Sequence, residues 1–279
     1  MLKDITFGQY FPGQSLLHRL DPRTKILLSL IFIVILFVAK TPIAFLLMIL
    51  LTAVFVGMSK IPFGTIFKGI RAVLILLLFT AAINLFLTKG QGTPLLEFWV
   101  IKIYAEGIWR AVIMAVRVVL LILISGLFLT YTTTPIALTD GIESLLSPLK
   151  KIRIPVHEFA MMITIALRFI PTLIEETDRV ISAQKARGAD FSSGGLIKRA
   201  RALIPILVPL LVSSIKHAED LATAMECRCY RGGDGRTRMV KLTYRTRDFL
   251  MLLFVLAIGA SVFVLNHYIP ILLPDLYYF

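Results

Sequence analysis

Residues 249–266 read Phe-Leu-Met-Leu-Leu-Phe-Val-Leu-Ala-Ile-Gly-Ala-Ser-Val-Phe-Val-Leu-Asn, a run without a charged side chain. A helix needs about 20 apolar residues to cross ~30 Å of hydrocarbon, so this run predicts a transmembrane helix. Ala72–Thr88 is a second run of the same kind. Ile26–Ala39 and Ile43–Met58 are shorter, and Lys40-Thr41-Pro42 separates them. Snorkelling flanks at Arg23–Lys25 and Ser59-Lys60 lengthen both, with Pro42 turning the hairpin; a re-entrant pair is the alternative. A further segment, about Ile108–Tyr131, contains Arg110 and Arg117. Arg110 can snorkel. Arg117 lies deeper, where an arginine marks a functional site, faces a polar interior, or means that the helix starts late.

The composition agrees only if charge and apolarity are segregated. Mean hydropathy is +0.84, with 57% apolar residues, 17% charged residues and a net charge of +13. The basic residues concentrate in 150–247. Beside so apolar a chain, that excess predicts a cytoplasmic membrane face and no nucleic-acid partner. Orientation follows from the span flanks. Lys3, Arg19, Arg23 and Lys25, then Lys60, Lys68 and Arg71, and then 150–247 all fall on one side if the N-terminus is cytoplasmic. The mixed residues before the first apolar run do not read as a cleavable signal, so that run is expected to remain as an anchor.

Residues 155–188 read as a long amphipathic helix. Ile170, Leu173, Ile174, Thr177, Val180, Ile181 and Gln184 share one face, with Glu175, Glu176, Asp178 and Arg179 mainly on others. Pro171 should kink it, and Gly188 after Arg187 should stop it. Asp190 to Gly195 reads as a polar turn. Leu196–Tyr230 is a second long segment, and Pro205 and Pro209 predict that it is two helical pieces. Its stripe runs Leu203, Leu207, Leu210, Ser214, Ala218, Leu221, Ala222 and Met225, and ends at Cys227-Arg228-Cys229-Tyr230. Ser213, Ser214, Ala218, Ala222 and Ala224 are small enough for close helix approach. Arg187 and Arg228 thus close two long amphipathic helices in similar settings. A cation at a helix C-terminus stabilises the macrodipole by about 0.3–1 kcal/mol. That effect accepts any Lys or Arg in the last turn, so two parallel arginines point to contacts with a soluble partner.

Catalytic chemistry is absent from the motifs. No Gly-x-x-x-x-Gly-Lys-Ser/Thr occurs, and Gly232–Thr237 lacks the lysine of a phosphate cradle. His157-Glu158 opens a zinc-protease pattern, but Met161 stands where the second ligand belongs. Cys227 and Cys229 diverge on a helix, and neither His157 nor His217 has zinc-type spacing. No metal ligand set and no catalytic residue is expected.

Several stretches together resemble the transmembrane T component of energy-coupling factor (ECF) transporters, the EcfT family. They are Leu20-Asp21-Pro22-Arg23-Thr24-Lys25, Leu167-Arg168-Phe169-Ile170-Pro171-Thr172, Ala183-Gln184-Lys185-Ala186-Arg187-Gly188, Ala218-Glu219-Asp220-Leu221-Ala222, Ala224-Met225-Glu226 and Tyr230-Arg231-Gly232-Gly233. The resemblance spans nearly the whole chain. It implies a non-catalytic subunit of an ATP-driven vitamin or micronutrient uptake transporter in the cell membrane. Two ABC-type ATPase subunits (an EcfA-like pair) would carry ATP and Mg, and a separate S component would bind substrate. It further implies that Ala186-Arg187-Gly188 and Cys227-Arg228-Cys229 dock on the two ATPases. The first matches the family's Ala-Arg-Gly pattern fully, while the second keeps only the arginine.

The expected fold is therefore an all-α integral membrane protein of about five transmembrane helices plus long amphipathic cytoplasmic coupling helices. The expected layout is a cytoplasmic segment at 1–24, transmembrane helices 1–4 at 25–131 and a cytoplasmic coupling region at 132–248. The last transmembrane helix and an extracytoplasmic tail occupy 249–279. The competing reading is a stand-alone channel or secondary transporter centred on Arg117.

Overall fold

A computed structural model describes residues 10–87, 96–98, 101–189, 195–233 and 241–272. The chain forms two compact units, one from Phe7–Ile142 with Leu242–Phe279 and one from Glu143–Lys241.

In the first unit, α1 (Pro22–Val38) and α2 (Pro42–Ser59) form the expected hairpin. Each starts with proline at its first position, where the lost N–H had no partner within the helix. Asp21 caps α1 by accepting from the Arg23 N–H at 2.9 Å, and Thr41 caps α2 by accepting from Ala44 at 3.3 Å. Then follow α3 (Phe63–Leu87), a two-stranded ribbon of β1 (Leu96–Phe98) and β2 (Ile101–Ile103), and α4 (Ala105–Ser125). The end of α4 widens to π-type bonding over Gly126–Tyr131. The last helix, α8, spans Thr246–Leu272. Leu28, Phe32 and Leu36 of α1 meet Met48 and Phe55 of α2, Ile124, Leu127 and Phe128, and Val255 and Val262 of α8 in one core. Phe55 and Phe128 pack edge-to-face at 5.5 Å. A Cβ on Gly259 would lie 2.8 Å from Ile35 Cδ1, so α8 meets α1 closely where it has no side chain.

Helices α1 and α4 cap each other. Arg117 of α4 donates from Nη2 to the Ala39 carbonyl at 3.2 Å, just past the end of α1. Its guanidinium also sits over Phe45 at 5.1 Å and Phe37 at 5.9 Å. Lys25 of α1, only 2% exposed, donates from Nζ to the Thr132 carbonyl at 2.7 Å, just past the end of α4. Each cation meets the carbonyl-rich, negative end of the other helix. The deep arginine that suggested a transport site thus has a capping role. Asn266 of α8 holds the same α1–α2 turn, donating to the Val38 carbonyl at 2.6 Å and accepting from the Lys40 N–H at 3.2 Å. At the other end of α8, Asp248 accepts from the N–H groups of Asp21 and Arg245, both at 2.8 Å. Arg23 lies over the Tyr244 ring at 5.2 Å.

Helix α5 (Pro135–Leu146) belongs to the first unit up to Ile142 and to the second from Glu143, and a 3₁₀ turn, Ser147–Ile152, follows it. The second unit is dominated by α6 (Val156–Ala186) and α7 (Leu196–Cys227). The prediction that α7 is two pieces is wrong: one helix runs through both Pro205 and Pro209. Helix α6 likewise continues through Pro171. Of the polar turn expected at 190–195, only Gly195 is described, as the residue before α7. Residues 234–237 of the expected helix break also lie outside the described residues.

By length and composition, α2, Gly107–Tyr131, α6 and Thr246–Tyr268 can each cross a membrane, and the bent helix α3 makes a fifth candidate. The 17-residue α1 is shorter than about 20 residues. Helix α6 qualifies through its apolar first half. Its second half carries Glu175, Glu176, Asp178, Arg179 and Lys185.

Candidate functional site

Helices α6 and α7 pair antiparallel. Gln184 faces Pro205, Glu176 faces Ser213, and Phe169 stacks on His217 at 6.0 Å. The proline-tolerant stretch of α7 has a local explanation. In a helix the Pro205 carbonyl would accept from the N–H of residue 209, which Pro209 lacks. Gln184 Nε2 of α6 donates to that carbonyl instead, at 3.4 Å. The neighbouring helix thus serves one of the acceptors that the prolines of α7 leave open.

The predicted stripe on α6 faces the pair, since every member from Ile170 to Gln184 is half-buried. On α7 the stripe is only partly right. Leu203 and Leu207 are 54% and 63% exposed, whereas Ile206 is buried. Glu176, assigned to an outer face, turns inward. It accepts from the Ser213 hydroxyl and lies 3.7 Å from His217 Nε2. Ser213 is therefore held in a cross-helix hydrogen bond, while its neighbour Ser214 points elsewhere. Ser214, Ala218 and Ala222 line an open, nearly all-apolar groove of about 290 Å³, together with Ile165, Phe169, Leu173 and Met225.

The two helix ends are built alike. After α6, Arg187 is the cap residue (φ −85°), and Gly188 turns left-handed at φ +87°. The Gly188 N–H donates to the Lys185 carbonyl and the Ala189 N–H to the Gln184 carbonyl, both at 3.0 Å. After α7, Arg228 is the cap residue (φ −91°), and Cys229 turns left-handed at φ +54°. The Cys229 N–H donates to Glu226 at 2.8 Å, and the Tyr230 N–H to Met225 at 3.0 Å. Both are complete Schellman caps with an arginine at the same position. Ala186, Arg187, Gly188, Cys227, Arg228 and Cys229 are all exposed.

Because the helices are antiparallel, the caps lie at opposite ends of the pair. The 31 residues of α6 span about 46 Å, which puts the arginines on the order of 40 Å apart. The Arg228 end has further support that was not visible in the motifs. A Cβ on Gly233 would collide with the His157 ring, and His157 Nδ1 bonds Glu143 Oε1 at 2.9 Å. The glycines after Arg228 thus let the chain fold back onto the start of α6. His157 and His217 are each engaged with a glutamate. Among the described residues, no cluster of three or more His, Cys, Asp or Glu is suited to a metal.

Residues 13–240 match the family model described as CbiQ, cobalt transport protein. The chain is 53% identical over 258 residues to the energy-coupling factor transporter transmembrane protein EcfT of Clostridium kluyveri, covering 92% of this chain and 95% of that one. It is 50% identical to the EcfT protein of Acidaminococcus fermentans (97% and 100% covered), and 44% identical to that of Bacillus subtilis (95% and 100% covered). A membrane-embedded helical bundle, two long paired helices and near full-length identity agree: the chain belongs to the EcfT family of energy-coupling factor transporter transmembrane proteins.

Proposed function

We propose that this chain is the coupling subunit of an ATP-driven ECF-type vitamin or micronutrient uptake transporter in the cell membrane, with its N-terminus cytoplasmic. It carries no catalysis itself. Two ABC-type ATPase subunits hold ATP and Mg, and Arg187 and Arg228 each dock on one of them. Conformational change in the ATPases passes through α6 and α7 to a substrate-binding S component seated along the Ser214, Ala218 and Ala222 groove.

The observation that carries this reading is the pair of equivalent caps at the two ends of one antiparallel helix pair, each presenting an exposed arginine. Such a pair suits a two-subunit partner with one acidic recess per subunit. A guanidinium offers forked, permanently charged contacts that a lysine does not reproduce. Losing one desolvated charge pair typically costs about 2–5 kcal/mol. The test is Arg187→Glu with Arg228→Glu, each alone and together, in the full complex. The expected result is loss of ATPase co-purification and of uptake at normal membrane levels. Retention of both in the double variant would sink the proposal.

A further inference from the structure

We propose that the turn Lys151-Ile152-Arg153 and the first turns of α6 form a binding site for anionic lipid headgroups at the membrane surface. The inference stands apart from the arginine-cap reading. Ile152 is 74% exposed, with exposed cations on either side. Arg153 sits at φ +63° and closes the 3₁₀ turn by donating its N–H to the Lys150 carbonyl at 3.1 Å. The reversed backbone leaves the isoleucine in the open. No carboxylate occurs between Glu143 and Glu158. Of those two, Glu143 is bonded to His157, and a Cβ on Gly232 would lie 4.0 Å from Glu158.

The apolar surface then continues onto α6. Phe159, Met162 and Ile163 are all more than half exposed, at the i, i+3, i+4 spacing of a single helix face. An apolar helix face preceded by cations is the chemistry of an interfacial helix. Its apolar side chains enter the headgroup and acyl boundary while Lys and Arg hold lipid phosphates. Charge complementarity selects an anionic bilayer over a neutral one.

The test places a nitroxide at Ile152→Cys in the full-length chain, in a Cys227→Ser, Cys229→Ser background. The chain is held in nanodiscs of phosphatidylcholine with or without phosphatidylglycerol. Collision rates with oxygen and with a water-soluble nickel chelate then report whether the label sits in lipid or water. The expected result is oxygen-dominated contact when phosphatidylglycerol is present. Lys151→Gln and Arg153→Gly should each lower the inserted population about fivefold. Glycine at 153 accepts the left-handed turn, so that loss reports charge and not backbone. Nickel-dominated contact in both nanodiscs overturns the proposal. So do equal insertion without phosphatidylglycerol and shielding from both probes, the last of which would mean that protein covers the turn.

Discussion

Cys229 after α7 occupies the same left-handed position that Gly188 occupies after α6, so two caps of different sequence follow one backbone path. A side chain in that conformation costs about 1–2 kcal/mol, a cost glycine avoids. Gly188→Ala should therefore loosen the α6 cap, with roughly tenfold faster hydrogen exchange at the Ala189 amide. Cys229→Gly should leave exchange at the Tyr230 amide unchanged or slower. Faster exchange in the second variant would mean that the Cys229 side chain itself holds the cap.

Gln184 and Pro209 should be energetically coupled. In the native chain, Gln184→Ala strips the Pro205 carbonyl of its donor and should cost about 0.5–1.5 kcal/mol. Pro209→Ala supplies an N–H within α7, and in that background the same change should cost almost nothing. A double-mutant cycle on thermal unfolding in detergent measures the difference. Strict additivity would show that the contact between the helices has no energetic weight.

Lys25→Met should lower the melting temperature strongly. It removes the donor to the Thr132 and His18 carbonyls and the ammonium beside Asp21 and Asp248, of which Asp21 keeps Arg23 at 4.0 Å. Breaking a buried charge arrangement on one side typically costs about 3–5 kcal/mol. Adding Asp248→Asn should not recover that loss, because Asp248 accepts from the Asp21 and Arg245 N–H groups through both oxygens and an amide has only one acceptor. A thermal melt of the two variants side by side checks both expectations.

Arg117→Met should destabilise the α1–α2 turn by about 1–3 kcal/mol, the range for a buried acceptor losing its partner. It should leave ATPase co-purification at the native level in membranes where the variant accumulates normally. Abolished uptake with unchanged stability would revive a direct role for Arg117 in transport.

The apolar helices were legible because lipid demands an unbroken run, and Phe249–Asn266 supplies one in a single window. The two arginine tips were legible as well, since Lys or Arg at a helix end followed by a break is a local pattern. What escaped was non-local. The partner of Arg117 is the Ala39 carbonyl, 78 residues away, so the local sequence leaves a functional site and a polar interior both open. Pro205 and Pro209 read as a break because their lost bonds are visible in sequence, whereas the compensating Gln184 lies 21 residues back on another helix. Ser213 and Ser214 are adjacent in sequence yet serve different faces, one bonded to Glu176 and one in the groove. Glu176 itself was put on an outer face because a carboxylate in an apolar stripe has no local signature of its partner. The left-handed turn at Cys229 carried no signal, since only glycine and asparagine advertise one.

The contacts of α8 bear on how the molecule is made. A ribosome delivers α1 and α2 long before it delivers Asp248 and Asn266, which hold the two ends of α1 from 227 and 228 residues downstream. Until then the Asp21 N–H and the Val38 carbonyl lack their final partners, and Lys25 must wait for Thr132. The contacts that hold the ends of α1 therefore close only when the last helix arrives. A product truncated before α8 keeps polar groups open at the membrane, where quality-control proteases can recognise it.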